Sequence, residues 1–413
     1  MTARSGGLRA AASAAWPAST PHARLTRAVL WLAALASGLA VASVYYAQPL
    51  LDAIAREFGL TQAAVGIVVT WTQLGYGIGL VMLVPLGDLL DRRRLIIAQT
   101  ACSVLALGIV AAAPIGAVFL AAMAAVGALA VVTQLHVAHA SALASPEQRG
   151  HAVGTVTGGI ISGILLARVV SGALSDVWGW RAVYAAAAVA NLAVVWALIK
   201  ALPAQPLRSR RLGYPALLGS LFVLWRQERV LRVRALLALL VFMAMTVLWT
   251  PMALALRTPP LALSHTEIGL FGLAGVLGAL GATRAGRWAD RGRAQRTTAI
   301  ALLLMLASWS ASALLPHSLW GLIVGVLAID FGLQAVHVSN QSLIYRVRPE
   351  AQSRLAAAYM VFYSIGCALG AIASTLVFDR AGWIGVCALG AAVSAAALSW
   401  WALTRHLTSE RST

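Results

Sequence analysis

The sequence predicts an all-α membrane protein with twelve transmembrane helices, arranged as two pseudo-symmetric six-helix bundles. Three observations predict it: an apolar composition, a series of long apolar runs, and an internal repeat. Of the 413 residues, 60% are hydrophobic and 11% are charged, and the mean hydropathy is +0.83. A soluble domain needs more charge than this to cover its surface. Lipid instead requires apolar side chains outside and backbone groups that are bonded internally.

The apolar runs set the number of helices. A helix needs about 20 apolar residues to cross the hydrocarbon core, and twelve such runs follow one another along the chain. We number them spans 1 to 12, and they lie near residues 26–48, 62–86, 95–113, 115–140, 151–172, 181–200, 235–256, 266–285, 297–315, 318–341, 355–377 and 383–404. The loops between them are too short for a soluble catalytic domain, so we expect no enzyme.

The polar stretch in the middle divides the chain into domains. We predict a disordered cytoplasmic tail (1–24), an N-terminal bundle (25–200), a cytoplasmic linker (201–234), a C-terminal bundle (235–405) and a second cytoplasmic tail (406–413). Within the linker, the segment from Tyr214 to Trp225 is apolar enough to form a helix that lies in the membrane interface.

The net charge of +18 could suggest a nucleic-acid partner. The arginines, however, lie in short loops between apolar runs: 26 of the 31 basic residues fall in the tails and in loops on one side of the membrane. The positive-inside rule then predicts that both termini are cytoplasmic, and we expect no nucleic-acid partner. The three cysteines lie in apolar segments, which fits neither a disulfide framework nor a zinc site.

The two halves repeat one another at an offset of about 200 residues. Residues 87–94 read GDLLDRRR and residues 286–293 read GRWADRGR, so both fit G-x-x-x-D-R-x-R at a distance of 199 residues. Two further pairs follow in the equivalent loops: PEQR at 146–149 with PEAQSR at 349–354, and DVWGWRAV at 176–183 with DRAGWIGV at 379–386. Three matches in order indicate duplication around an axis along the membrane normal.

The first pair of repeated loops, residues 87–94 and 286–293, supplies a candidate conformational latch. Aspartates among arginines at helix ends can form charge pairs in one conformation and break them in another, and the glycines allow a neighbouring helix to approach closely. The alternative is a topology signal of positive charge alone. The predicted latch residues are Gly87, Asp91, Arg92, Arg94, Gly286, Asp290, Arg291 and Arg293.

These loops resemble the signature that follows helices 2 and 8 in the major facilitator superfamily. The stretch from Tyr45 through Gln48-Pro49-Leu50 to the first loop is most similar to bacterial drug and metabolite efflux members of the drug:proton antiporter type. The resemblance implies the major facilitator fold, a bacterial inner membrane, a monomer, and alternating-access transport of a small organic solute. It favours proton-coupled efflux (antiport), with a proton-coupled uptake symporter as the alternative. It implies no cofactor beyond a proton gradient.

Asp330 is the clearest functional candidate, because ionisable groups inside a span are costly and often functional. It lies about ten residues into span 10, roughly 15 Å deep at 1.5 Å per residue. Gln334, His337 and Gln341 continue one polar face of that helix. Burial favours the neutral carboxyl, so Asp330 could take and release a proton during transport. The alternative is a structural aspartate.

Other polar and aromatic residues within the spans are candidates to line a substrate cavity. Around one acid, such groups suit a modest-sized amphipathic or weakly cationic molecule. The predicted cavity residues are Tyr45, Tyr46, Gln48, Gln73, Tyr76, Gln134, His136, Asn191, Thr246, Trp249, Gln334, His337, Tyr359 and Tyr363. Trp320 and Trp383 are instead expected to be interfacial anchors. His136 and His139 lack a nearby carboxylate or cysteine, so no metal is predicted.

Span 5 contains two further features. Arg168 is expected to form a structural or gating pair with Asp52 or Asp176, or to extend to the membrane surface. Direct contact with an anionic substrate is the alternative. Gly150, Gly154 and Gly158 repeat at every fourth position, with Gly159 and Gly163 beside them, and we expect them to pack closely against a helix of the other half.

Overall fold

The computed structural model describes residues 26–145, 148–203, 213–275, 288, 291, 293–348 and 352–408. The described residues are helical or in short connections, which confirms the all-α class. Of the predicted latch, Gly286 and Asp290 lie outside the described residues.

The first bundle contains six membrane helices, α1 to α6. Their bounds are Arg27–Tyr45, Ile67–Met82, Arg92–Ala112, Gly116–Ala130 continuing as Val132–Leu143, Arg149–Trp178, and Trp180–Ala201. A short helix, Leu51–Phe58, extends α1 beyond a 3₁₀ turn at Gln48–Leu50. A linker helix, Tyr214–Gln227, follows α6; it begins at the predicted Tyr214 and ends two residues beyond the predicted Trp225.

The second bundle repeats the plan. Helix α7 is Arg229–Arg257, so it begins before the predicted residue 235. Helix α8 begins as His265–Leu270, tightens into a 3₁₀ turn at Phe271–Ala274 and is described to residue 275. Helices α9 and α10 are Ala294–Ser312 and Leu319–Tyr345. The last helical segment, Gln352–Thr404, is interrupted at Gly382 and provides α11 and α12.

Length and composition alone mark nine described segments as able to cross a membrane, the last of which contains both α11 and α12. Adding α9 and the partly described α8 gives the twelve helices of the predicted fold.

The breaks between α5 and α6 and between α11 and α12 confirm the internal repeat at the level of the backbone. Gly179 has φ 79° and Gly382 has φ 59°, and both occupy the same position of the repeated eight-residue segment. Only glycine adopts such angles readily. The tryptophan after each glycine donates to a neighbouring helix, Trp180 to Glu57 (2.5 Å) and Trp383 to the backbone oxygen of Ser312 (2.8 Å). The prediction that Trp383 is an interfacial anchor is therefore wrong, because its side chain is buried.

Glycines bring helices together within the first bundle. A Cβ atom at Gly127 would collide with the backbone of Thr72, which sets the contact between α4 and α2. In α5, a Cβ at Gly159 would collide with the backbone of Ala34. The expected packing of this part of α5 against the other half is thus wrong, because its partner is α1 of its own bundle. A Cβ at Gly163 would likewise collide with the backbone of Gly38 in α1. At the other three glycines of the α5 stripe a Cβ would meet no described atom within 4 Å, and these positions are exposed: Gly150, Gly154 and Gly158.

Contacts between the bundles concentrate on the side of the molecule opposite the linker helix, which we call the far face. A Cβ at Gly172 of α5 would collide with the backbone of His265 in α8. Thr70 of α2 donates to the backbone oxygen of Ala368 in α11 at 2.9 Å. Thr375 of α11 donates to the backbone oxygen of Ala63, just before α2, at 3.0 Å. The bundles therefore close against each other there.

On the opposite side, which we call the linker face, the linker helix contacts both bundles. Trp225 stacks on Phe362 of α11 with ring centroids 4.3 Å apart. The hydroxyl of Tyr214 donates to the backbone oxygen of Met82 at the end of α2 (2.8 Å). The linker helix thus bridges the bundles on the side where the α5 glycines face open space.

Candidate functional site

The centre of the site is Asp330 of α10, which is only 7% exposed. The indole nitrogen of Trp249 in α7 donates to its Oδ1 atom at 3.2 Å. Its Oδ2 atom faces Gly275 of α8, where a Cβ would lie 4.0 Å away. The acid therefore lies between three helices of the second bundle.

Arg168 of α5 brings a charge from the first bundle to the same place. Its side chain is 4% exposed, and its Nε donates to Oε1 of Gln48 at 2.7 Å. The guanidinium carbon lies 3.7 Å from the centroid of the Trp249 ring and 5.2 Å from that of Tyr45. The prediction that Arg168 pairs with Asp52 or Asp176 is wrong, because both carboxylates bind other groups. The sequence placed Arg168 near a helix end, and its inclusion in the central site follows from the close approach of α8.

Three of the predicted cavity tyrosines meet between the bundles. The hydroxyls of Tyr45 and Tyr363 lie 2.8 Å apart. The ring of Tyr76 packs edge-on against Tyr363 with centroids 6.1 Å apart, and Tyr76 also faces Gln134. These contacts join α1, α2 and α4 to α11, so the rings extend from Arg168 across the interface.

The predicted polar face of α10 continues from Asp330 toward the linker face. His337 Nδ1 lies 3.0 Å from the hydroxyl of Tyr359, which also accepts a hydrogen bond from Asn340 (3.4 Å). Asn340 in turn accepts from Arg234 (3.3 Å), a buried guanidinium at the start of α7. Gln334, one turn after Asp330 on the same helix, is half-buried. The sequence reasoning missed Arg234 and Asn340, although a basic residue at a helix start followed by a long apolar run was a visible signal.

The other predicted cavity residues lie apart from Asp330 or bind their own helices. Tyr46 packs on Tyr184 inside the first bundle, and Asn191 donates to the backbone of Ala187. Thr246 donates to the backbone of Phe242 in α7. His136 is buried with both ring nitrogens unpaired. The carbonyl group of the Gln73 side chain is likewise unpaired, while its backbone oxygen accepts from Ser364 of α11.

The described part of the predicted latch binds within its own bundle. Asp91 is the N-cap of α3 and accepts from the backbone of Arg94 at 3.0 Å. Arg92 donates to the backbone oxygen of Gly87 at 3.0 Å, and a Cβ at Gly87 would collide with Leu135 of α4. In the second bundle, Arg291 and Arg293 are exposed. In this conformation these contacts hold α2, α3 and α4 of the first bundle together. A latch would have to form and break during transport, so it remains a prediction.

A second charged cluster closes the far face, and the sequence reasoning did not find it. His265 Nε2 lies 3.0 Å from Asp52, and its Nδ1 lies 2.9 Å from Asp176. Arg257, at the end of α7, donates to Asp52 at 2.9 Å. Hydrogen bonding to Asp52 raises the pKa of His265 above its usual value, against the opposing effect of burial. Since Asp52 and Asp176 belong to the first bundle, the cluster joins the two halves.

No metal centre accompanies these groups: nowhere in the described ranges do three or more His, Cys, Asp or Glu side chains come together as metal ligands.

Comparison with known proteins decides the family. The model of the Major Facilitator Superfamily matches residues 30–259 and again residues 234–413. The chain belongs to the major facilitator superfamily. Members of this superfamily are transporters, not enzymes, and the chain is a multi-pass integral membrane protein that moves small molecules across the bilayer.

Similar proteins carry transporter names. A putative uncharacterized transporter of Escherichia coli (strain K12), YgaY, is 46% identical over 382 residues, which cover 92% of this chain and 97% of the relative. The probable transporter SCO4007 of Streptomyces coelicolor is 33% identical over 397 residues, covering 91% of this chain and 90% of the relative.

Two solved structures share the fold of this superfamily member. A bacterial homologue of the human lysosomal transporter Spinster, in an inward-facing and unoccupied conformation, has a TM-score of 0.75 at 15% identity and covers 92% of this chain and 97% of its own. The human organic anion transporter MFSD10 (TETRAN) has a TM-score of 0.67 at 16% identity, and the match covers 93% of this chain and 100% of the MFSD10 chain. At these identities the likeness concerns the fold alone.

Proposed function

We propose that this chain is a secondary active transporter that couples the movement of a small organic solute to protons through Asp330. The observation that carries the proposal is the position of Asp330: a buried carboxyl between α7, α8 and α10, with one oxygen bound to Trp249 and the other free of a described donor. A carboxyl in such a place can exist with or without its proton, and an intramembrane acid that faces an interior is a frequent proton carrier.

The distribution of contacts supports alternating access. The far face is closed by the cluster around His265 and by the contacts of α2 with α11. On the linker face, the glycine stripe of α5 borders open space. Rocking the bundles about the central site would open the first side and close the second. The arginine distribution predicts that the linker face is cytoplasmic, so this conformation is open to the cytoplasm. The proposed setting is the inner membrane of a bacterial cell, with the chain as a monomer.

The proton and the solute could move in opposite directions (antiport) or in the same direction (symport). The resemblance to efflux members favours antiport, in which a proton and a weakly cationic solute compete for Asp330. The buried guanidinium of Arg168 favours the second mode, symport, because a cation beside Asp330 repels a cationic solute and attracts an anion.

The experiment is solute flux driven by a pH gradient in proteoliposomes, measured over a panel of drugs, sugars, nucleosides, amino acids and organic acids. For the solute that is found, Asp330→Asn should abolish transport against the solute's concentration gradient, while transport down that gradient continues. Asp379→Asn is the matched control, because Asp379 is exposed at the end of α11. Concentrative transport by Asp330→Asn at the rate of the unaltered chain would show that the proposed coupling is wrong. The sign of the pH gradient that drives accumulation separates antiport from symport.

A further inference from the structure

We infer that Arg168 binds the anionic group of the transported solute, and that the solutes are small organic anions, with carboxylates foremost. This inference rests on the proposed function, since it names the class of solute for the central site. It differs from the weakly cationic solute that the sequence favours.

The guanidinium of Arg168 is held in place but only partly used. Its Nε is committed to Gln48 and one of its faces to the Trp249 ring. Its two terminal nitrogens donate to no acceptor among the described residues, and neither is fully enclosed by protein, so both remain available to a ligand. An arginine fixed at Nε and stacked on an aromatic ring presents its terminal nitrogens as a planar fork, which matches the two oxygens of a carboxylate.

Helix α8 explains how so large a side chain fits at this place. A Cβ at Gly269 would collide with the backbone of Arg168, and a Cβ at Gly272 would lie 3.1 Å from Cβ of Arg168 and 3.4 Å from its Cδ. The absence of a side chain at Gly269 lets α8 approach the backbone of α5, and its absence at Gly272 makes room for the stem of the arginine. The site is therefore built for Arg168 by both bundles, which distinguishes it from an arginine that reaches the membrane surface.

Asp330 is close enough to balance the charge of Arg168 without occupying its fork. Gly272 contacts the arginine stem and Gly275 faces the carboxylate, and these glycines are three residues apart on α8, about 5–6 Å along the axis. The two charges attract each other, but they form no ion pair. When Asp330 is protonated, the guanidinium has no carboxylate counterion in the described part of the chain. Binding an anion then becomes favourable, because an isolated buried charge is costly.

This arrangement makes the anion and the proton bind together. Among the described residues, the charged and titratable groups that face Asp330 are Arg168 of α5 and Tyr45 of α1, beside the hydrogen bond from Trp249. A proton on Asp330 leaves the positive charge of Arg168 available to the solute. An anion bound to Arg168 offsets the positive charge that attracts a negative carboxylate, and so favours the protonated form of Asp330. The two ligands are thus positively coupled, and the coupling is reciprocal. Symport follows from this coupling.

The groups around the fork favour an organic anion with an apolar body. Trp249 and Tyr45 lie against the guanidinium of Arg168. Tyr363 continues this aromatic group from Tyr45 to Phe242, and the Tyr363 and Phe242 ring centroids are 4.2 Å apart. Aromatic walls with a few placed polar groups bury most of a small ligand and fix its orientation.

The test is thermal unfolding of the full-length purified chain in detergent with three probes that share one ring: benzoate, benzamide and benzylammonium. At pH 6 we expect benzoate to raise the melting temperature and the neutral and cationic probes to leave it unchanged. Arg168→Gln should abolish the effect of benzoate, and Arg168→Lys, which keeps the charge but loses the planar fork, should weaken binding about tenfold. Arg380→Gln, at an exposed arginine, is the matched control.

Asp330→Asn separates the inference from the proposed function. In the unaltered chain, stabilisation by benzoate should decline as the pH rises from 5.5 to 8, whereas the Asn variant should bind benzoate equally at each pH. If the Asn variant keeps the pH dependence, Asp330 is not the proton carrier and the proposed coupling fails, while binding at Arg168 stands. Equal stabilisation by benzoate and benzamide, or an undiminished benzoate effect in a folded Arg168→Lys variant, would overturn the inference.

An anionic lipid headgroup offers the same chemistry from another source. Dihexanoyl phosphatidic acid serves as the probe for it. Stabilisation by this lipid without stabilisation by benzoate would overturn the assignment of a small soluble anion, and stabilisation by benzoate without the lipid would support it.

Discussion

The guanidinium of Arg168 stacks on the ring of Trp249 at 3.7 Å, so a cation of one bundle rests on an indole of the other. The same indole donates its N–H to Asp330 at 3.2 Å. One side chain thus contacts both charged groups of the central site. Any rocking of the bundles that separates α5 from α7 must change the stack, while the hydrogen bond between α7 and α10 lies within one bundle and can persist.

Substitution at Trp249 should separate these two contacts. Trp249→Phe keeps an aromatic face for Arg168 but removes the N–H donor, whereas Trp249→Ala removes both and leaves a cavity. We expect the Ala variant to lose about 3–5 kcal/mol of stability and the Phe variant about 1–3 kcal/mol, since it loses a hydrogen bond to a carboxylate.

Thermal unfolding in detergent measures this order, with Trp320→Ala as the control because Trp320 is 74% exposed. Equal melting temperatures for the Phe and Ala variants would show that the ring contributes nothing beyond its N–H.

The bridge made by His265 should depend on pH. Its pKa is raised by Asp52, so the charged imidazole contributes stability that is fully present below about pH 6.5 and is lost as the pH rises through the raised value. His265→Gln should therefore lower the melting temperature most at pH 5.5, and the difference from the unaltered chain should narrow toward pH 9.

A difference for His265→Gln that stayed constant over this range would mean that the imidazole acts as a neutral hydrogen-bonding group. Asp176→Asn provides a second check, since it keeps the size of the side chain that binds His265 and Thr266 but removes its charge.

Two glycines of the first bundle should respond in opposite ways to alanine. A Cβ at Gly127 meets the backbone of Thr72, which cannot yield cheaply, so Gly127→Ala should cost several degrees of melting temperature. A Cβ at Gly154 meets nothing within 4 Å, so Gly154→Ala should be neutral or stabilising by up to about 1 kcal/mol through helix propensity. Equal losses for the two variants would contradict this packing of α4 and α5.

Larger side chains on the open glycine stripe should impair transport without impairing folding. If the linker face closes during the cycle, Gly154→Leu and Gly158→Leu fill space that a helix of the other bundle must enter. We expect unchanged melting temperatures and at least tenfold slower turnover in proteoliposomes. Unchanged turnover would show that this part of α5 stays apart from the second bundle throughout the cycle.

The role of Asp91 can be divided between capping and charge. Asparagine caps a helix about as well as aspartate, whereas alanine loses the cap and costs about 1 kcal/mol. If Asp91 acts as a latch through its charge, Asp91→Asn should slow turnover with little change in stability, and Asp91→Ala should lower both. Normal turnover in Asp91→Asn would leave this residue with the capping role alone.

Much of the fold could be predicted because membrane insertion acts on local sequence. Apolar runs mark the helices by length, and the repeated eight-residue segment marks equivalent breaks, which the structure shows as positive φ angles at Gly179 and Gly382. Asp330 could be found because an acid in an apolar run is conspicuous. The partner of the α5 glycines could not be predicted, since any helix with small residues would fit and only the packed bundle selects α1.

The sequence by itself determined that this chain is a twelve-helix, duplicated membrane protein with a buried acid in α10. Only the tertiary structure decided what surrounds that acid. Arg168, Trp249 and Asp330 are separated along the chain by about 80 residues at each step, and no periodicity within one helix relates them. They meet because glycines in α8 allow α5 to approach across the interface between the bundles, a contact that depends on shape in three dimensions.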